Sequence, residues 1–182
     1  MLDPGSELRT LVLGIGNLLW ADEGFGVRAI EALNARYRFP NHVQLMDGGT
    51  QGLFLLPYVQ GARELLILDA VDFGREAGTL YVVRDDAVPQ YMGAKKVSVH
   101  QTGFQEVLAM ARMTGRFPQR LALIGVQPEQ IDDFGAGLRP RINACIPEAI
   151  ACALEVLEAW GIRAQVRAHP ATAEPTGPGI FV

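Results

Sequence analysis

Along the chain, stretches that are apolar at almost every position alternate with stretches that are apolar every third or fourth position. The first kind comprises "TLVLGI" from Thr10, "VQLMD" from Val43, "ELLILDA" from Glu64, "GTLYVV" from Gly78 and "LALIGV" from Leu121. Near-continuous apolar runs of this length belong to strands buried on both faces. The alternation therefore predicts an α/β fold, a three-layer sandwich with a mostly parallel five-stranded sheet and helices on both faces.

The second kind supplies the helices. In "GVRAIEALNARY", Val27, Ile30, Leu33 and Tyr37 fall on one stripe and Arg28, Glu31 and Arg36 fall outside it, as expected of a helix lying on a sheet. "GLFLLPYV" predicts a short helix interrupted by Pro57, and "FQEVLAMARMTG" predicts a third, closed by Gly115. A last helix is expected from about Pro140 to Trp160, closed by Gly161. Residues 1–162 then form one domain. Residues 163–182, "RAQVRAHPATAEPTGPGIFV", carry few large apolar side chains and are expected to be a disordered tail, whose deletion beyond Arg163 changes stability and activity little.

Composition narrows the function. The 182 residues carry a formal charge of −4, with 20% charged residues and no block of one sign, so neither a nucleic-acid groove nor a polybasic membrane patch is expected. The start, "MLDPGSELRT", lacks the basic and apolar regions of a signal peptide, and the apolar stretch from Leu11 to Trp20 is short and broken by glycine. A cytoplasmic monomer with a protein or small-molecule partner is the expectation. Cys145 and Cys152 stand seven apart in the last helical pattern, about 10 Å along a helix axis and too far for a disulfide. They are expected to be small core residues, not nucleophiles.

The first strand runs into "GIGNLLWADEGFG". A dinucleotide fingerprint needs three glycines, and after Gly14 and Gly16 the third place is Leu19. Asp22 and Glu23 follow, where carboxylates would compete with phosphate for backbone N–H groups, which argues against a nucleotide enzyme. The pair can serve as helix cap and first-turn residue, or as chemistry, because ligand sites of open α/β sheets form outside the carboxyl ends of the strands. Asp69, followed by Asp72, ends "LLILDAVD" at such an address. Asp47 ends "VQLMDGGT" in the same way, beside Gly48 and Gly49, and each of these also reads as a cap or turn residue. His100 ends "KKVSVH", immediately before the third helix. Glu23, Asp69 and His100 together offer two carboxylates and an imidazole, a set suited to a borderline divalent metal with open positions.

The segments "LVLGIGNLLWADEGFGVRAIEAL", "LMDGGTQGL", "LLILDAVD", "KVSVHQTGFQEVL" and "LALIGVQPE" resemble, in order and spacing, the nickel-iron hydrogenase maturation proteases, over roughly Arg9 to Gly161. The resemblance implies a twisted five-stranded sheet and a metal-contacting trio at Glu23, Asp69 and His100. It also implies an endopeptidase that removes a C-terminal extension from the hydrogenase large-subunit precursor after nickel insertion, with the nickel supplied by the substrate. Gly24 to Val27 and the last strand favour the group acting on uptake-type hydrogenases. Catalysis is then expected to rest on Glu23 and Asp69, with Asp47 as the auxiliary proton acceptor, in an aspartyl-type or metal-dependent scheme. Serines occur only at Ser6 and Ser98, so no Ser-His-Asp set suggests an acyl-enzyme. The rival reading is a non-catalytic nickel-binding maturation chaperone that uses the same trio.

Overall fold

The structure, a computed structural model, describes residues 10–94, 99–170 and 180–181, with the backbone alone at 91–94, 99–102 and 180–181. The strands are β1 (Thr10–Ile15), β2 (Tyr37–Arg38), β3 (Val43–Gly49), β4 (Glu64–Ala70), β5 (Leu80–Arg84), β6 (Arg120–Val126), β7 (Gln165–Val166) and β8 (Ile180–Phe181). The helices are α1 (Phe25–Arg36), α2 (Leu56–Gly61), α3 (Ala87–Ala94), α4 (Val99–Met113), α5 (Pro140–Asn143) and α6 (Ile146–Ala159).

The main sheet has the order β5-β6-β4-β1-β3-β8. β3, β1, β4 and β6 run parallel, and β5 and β8 flank them antiparallel. All five expected strands are present, and the short β8 adds a sixth at the edge. β1 and β4 are buried along their whole length, because each residue pair feeds both layers. Val12, Leu66, Leu68 and Ile124 join Phe25, Ile30, Leu33, Ile150 and Val156 of α1 and α6 in one core. Leu11, Leu13, Leu65 and Ile67 join Val59, Phe104, Val107 and Leu108 of α2 and α4 in the other. Period-two alternation along the strands thus builds a three-layer sandwich.

Several expectations shift. Pro57 sits in the first turn of α2, after a 3-10 turn over Gly52–Leu55, so it opens the helix instead of interrupting it, its missing N–H falling among donors unused there. The last helix is two helices. Pro147 lies in the first turn of α6, and a continuous helix would press its ring on the carbonyl of Asn143, where α5 ends. Cys145 therefore caps α6 from outside while Cys152 lies within it; both are free, half-buried thiols whose pKa burial raises.

The segment expected to leave the body at Arg163 returns to it. β7 pairs with β2, and Arg167 Nε donates to the carbonyls of Asn34 and Tyr37, each at 2.9 Å, while its backbone N–H donates to Arg36. These are carbonyls that the end of α1 leaves without helical partners, and a guanidinium meets the negative end of the helix there. Residues 171–179 lie outside the described residues, and β8 pairs with Leu45 and Met46 of β3. Among the described residues, no helix is long and apolar enough to cross a membrane.

Candidate active site

From β1 the chain moves to β3 on one side, and from β3 it crosses back to β4 on the other. The connections diverge between β1 and β4, and the carboxyl ends of that pair are where such sheets hold ligands. The chain is fitted tightly at this point. A Cβ on Gly26 would lie 2.1 Å from the Leu68 carbonyl oxygen and 2.3 Å from that of Ile15, and one on Gly14 would lie 2.4 Å from the Gly26 oxygen. Only glycine lets the first turn of α1 rest on both strands. Gly16, at φ 144°, would place a Cβ 1.8 Å from the Glu23 carbonyl oxygen, so the connection folds back on itself before α1 begins.

That fold-back carries Glu23. The Asn17 N–H donates to the Glu23 carbonyl at 3.2 Å, the Glu23 N–H to the Trp20 carbonyl at 2.9 Å, and Ala21 adopts φ 27°, in the left-handed region. Glu23 is half-buried on a 3-10 turn over Ala21–Gly24 that packs on β4. Asp69 is fully buried near the end of β4, where its Oδ1 accepts the Ala70 N–H at 2.8 Å. Opposite it in register, Gly125 leaves room for the Phe73 ring, which stacks on Tyr81 with centroids 4.4 Å apart. The structure thus brings the elements of Glu23 and Asp69 together at the divergence point.

His100 falls by its backbone in the first turn of α4 instead of in the loop before it, and its side chain lies outside the described residues. Asp69 shares strand parity with Leu65 and Ile67, which face the α2 and α4 layer; α4 therefore lines the side from which Asp69 is approached. Among the described residues, no three His, Cys, Asp or Glu side chains are grouped to hold a metal.

Asp47 stands apart. It is in register with Gly14, which is in register with Leu68, so two strand spacings, about 10 Å, separate it from the β4 carboxylate. Its parity is that of Val43 and Leu45, which face the α1 layer. Its Oδ1 accepts the Gly49 N–H at 2.9 Å and closes the Gly48–Gly49 turn. Burial raises its pKa above the ordinary carboxylate range; the Gly49 hydrogen bond opposes this, Glu31 on α1 adds to it and Arg28 subtracts. Strand order and alternation thus turn Asp47 toward the α1 layer and Asp69 toward the α2 and α4 layer.

Asp22 is not a helix cap. Fully buried, it accepts three backbone N–H groups from the connection after β6, those of Glu129, Gln130 and Arg139. Gln127, in the same connection, accepts from Phe73 and Arg75 and donates to Asp72 Oδ1. Neither role has a local sequence signal, since the partners are 52 to 117 residues away.

Residues 27–156 match the family model described as hydrogenase maturation protease. The hydrogenase expression/formation protein HupM of Azotobacter chroococcum is 58% identical over 90% of this chain and 78% of its own length. The hydrogenase 2 maturation protease of Escherichia coli is 42% identical over 86% of this chain and 95% of its own. The solved structure of the hydrogenase maturating endopeptidase HybD from E. coli superposes with a TM-score of 0.83 at 41% identity, over 88% of this chain and 98% of that one. On these likenesses, the chain belongs to the hydrogenase maturation proteases, a family of endopeptidases.

Proposed function

We propose that this protein removes the C-terminal extension of a nickel-iron hydrogenase large-subunit precursor, of the uptake type, after nickel has been inserted, and that it recognises the nickel of that substrate through Glu23, Asp69 and His100. The observation that carries the reading is the packing of the 3-10 turn that bears Glu23 on β4, the strand near whose end Asp69 is buried, where β1 and β4 diverge. The E. coli relative's name, which assigns it to hydrogenase 2, supports the substrate class. Carboxylate oxygens with an imidazole form a donor set that suits a borderline divalent ion. Such an ion, arriving with the substrate, would polarise a carbonyl and acidify water.

The chain's own part is placement. Proton transfer is assigned in this reading to Glu23 and Asp69, whose elements meet at the crevice. Asp47 shapes the crevice wall by holding the Gly49 turn, whose carbonyl in turn accepts the Gly16 N–H at 3.1 Å. A precursor without metal would lack the group that these ligands read.

Mass spectrometry of the precursor, with and without nickel, tests the proposal. Wild-type protein should remove a defined C-terminal fragment from the nickel-loaded form alone, and Glu23→Gln, Asp69→Asn and His100→Ala should fold yet fail. Movement of nickel without shortening of the precursor would establish the chaperone reading instead. Normal processing by two of the three variants would refute metal recognition by this trio.

A further inference from the structure

Ten large apolar side chains are exposed among the described residues, and six of them, Leu18, Leu19, Trp20, Leu53, Phe54 and Phe134, lie on loops at the carboxyl end of the sheet. They form two groups. Leu18, Leu19 and Trp20 precede Glu23 in its own connection, and Trp20 meets Phe134 edge to face, with ring centroids 5.4 Å apart. Leu53 and Phe54 ride on the 3-10 turn that follows β3 and packs against α4, the helix of His100.

Singly exposed apolar residues are ordinary, but a concentration bordering a catalytic crevice marks a contact surface. The exposure is also built in. Trp20 and Phe134 form a β-bridge, the Gly135 N–H donates to the Leu19 carbonyl at 2.7 Å, the Ala21 N–H donates to Asp133 at 3.0 Å, and Asn17 Oδ1 accepts the Leu19 N–H at 3.0 Å. Leu18 is pressed over Gly24, its Cδ2 3.2 Å from where a Cβ would stand. Surfaces held ready in this way lose little freedom on binding.

We infer that these two groups are lips that grip apolar residues of an extended protein segment on either side of the bond presented to Glu23 and Asp69. The inference rests on the endopeptidase reading above. The lips are continuous with the carboxylates, Trp20 and Glu23 being only three positions apart in the chain. Glu23, Asp47, Asp69, Glu129 and Asp132 all belong to the same end of the sheet, where Arg139 is taken up by Asp133, so the occupant is apolar with neutral or basic neighbours, and an acidic segment is repelled.

Michaelis parameters for cleavage of the metal-loaded precursor test this. Trp20→Ala and Phe54→Ser should each raise KM about tenfold or more and leave kcat within about twofold, since uniform binding is what they remove. Met113→Ala, a truncation at an equally exposed residue of α4, should change neither. Phe54 is 83% exposed, so its variant keeps the test where Trp20→Ala perturbs folding. Unchanged KM in Phe54→Ser beside an active wild type would overturn the lips. So would sedimentation showing that the wild type pairs with itself and that Phe54→Ser separates it. A wild type that cleaves no precursor would overturn the endopeptidase reading, and the lips with it.

Discussion

Asp22 Oδ1 accepts the Arg139 N–H at 2.8 Å while Oδ2 of the same carboxylate accepts those of Glu129 and Gln130 at 2.9 and 2.8 Å. One buried side chain therefore ties the two ends of the connection between β6 and α5 to the turn before α1. Asp22→Ala leaves three inward-facing amides without an acceptor and should cost about 3–5 kcal/mol in urea unfolding. Hydrogen exchange at those amides should accelerate well ahead of the β4 amides. Unaltered protection at all three would show that the carboxylate is dispensable.

Gly26 gives the most severe single change. An added methyl at 2.1 Å from the Leu68 oxygen and 2.3 Å from the Ile15 oxygen meets backbone on both sides, and no side chain can yield to it. Gly26→Ala should cost about 3 kcal/mol or more, by lifting the start of α1 off the sheet. A thermal midpoint within a few degrees of wild type would contradict the close approach.

These two positions show where sequence reading succeeds and where it stops. "ELLILDA" delimits β4 to the residue, because a strand buried on both faces has no polar position until it reaches the rim. The same logic puts Asp69 at the rim, and Glu23 follows from the connection that leaves β1. The start of α4 is not legible, since Thr102 and Gly103 are poor helix formers and the apolar stripe begins only at Phe104. Which layer a strand face meets is also hidden, because it depends on pairing with other strands, so Asp47 and Asp69 read alike in sequence although β3 and β4 turn them to opposite layers. Contacts such as Asp22 with Arg139 join segments 117 residues apart, and no local pattern encodes them.

Arg167 belongs to the fold. Its four hydrogen bonds to the end of α1 include three from a charged group, each worth about 1.5–3 kcal/mol when both partners are shielded and less at a surface. Arg167→Ala should lower stability by about 1–2 kcal/mol. Deleting everything after Arg163 should cost at least as much, the reverse of what the composition of this segment suggests. Calorimetry on both variants decides the matter, and equal midpoints with wild type would restore the reading of a contact-free tail.

Asp47 predicts a pH dependence. Its pKa is raised, chiefly by burial, so ionisation favours the unfolded chain. The penalty is absent below the ordinary carboxylate range, grows from there up to the raised value and is constant above it. Asp47→Asn, which keeps an acceptor for the Gly49 N–H, should therefore gain stability relative to wild type between acid and neutral pH, and a difference that is flat with pH would refute this. In processing assays the same variant should stay within about threefold of wild type, whereas Asp47→Ala, which frees the turn, should lose more than tenfold. Abolished processing in Asp47→Asn would instead make Asp47 the proton acceptor.

The seating of α1 on Ile15 and Leu68 also bears on how such a protease can be redirected. Backbone meets backbone beneath the crevice, so its floor has no side chain to exchange and no depth to adjust. Residues 17–20, 52–55 and 131–135 sit above that floor on connections of their own. Retargeting the enzyme to another precursor is thus a matter of transplanting three short loops as a set, with the sheet and its glycines left as an invariant chassis.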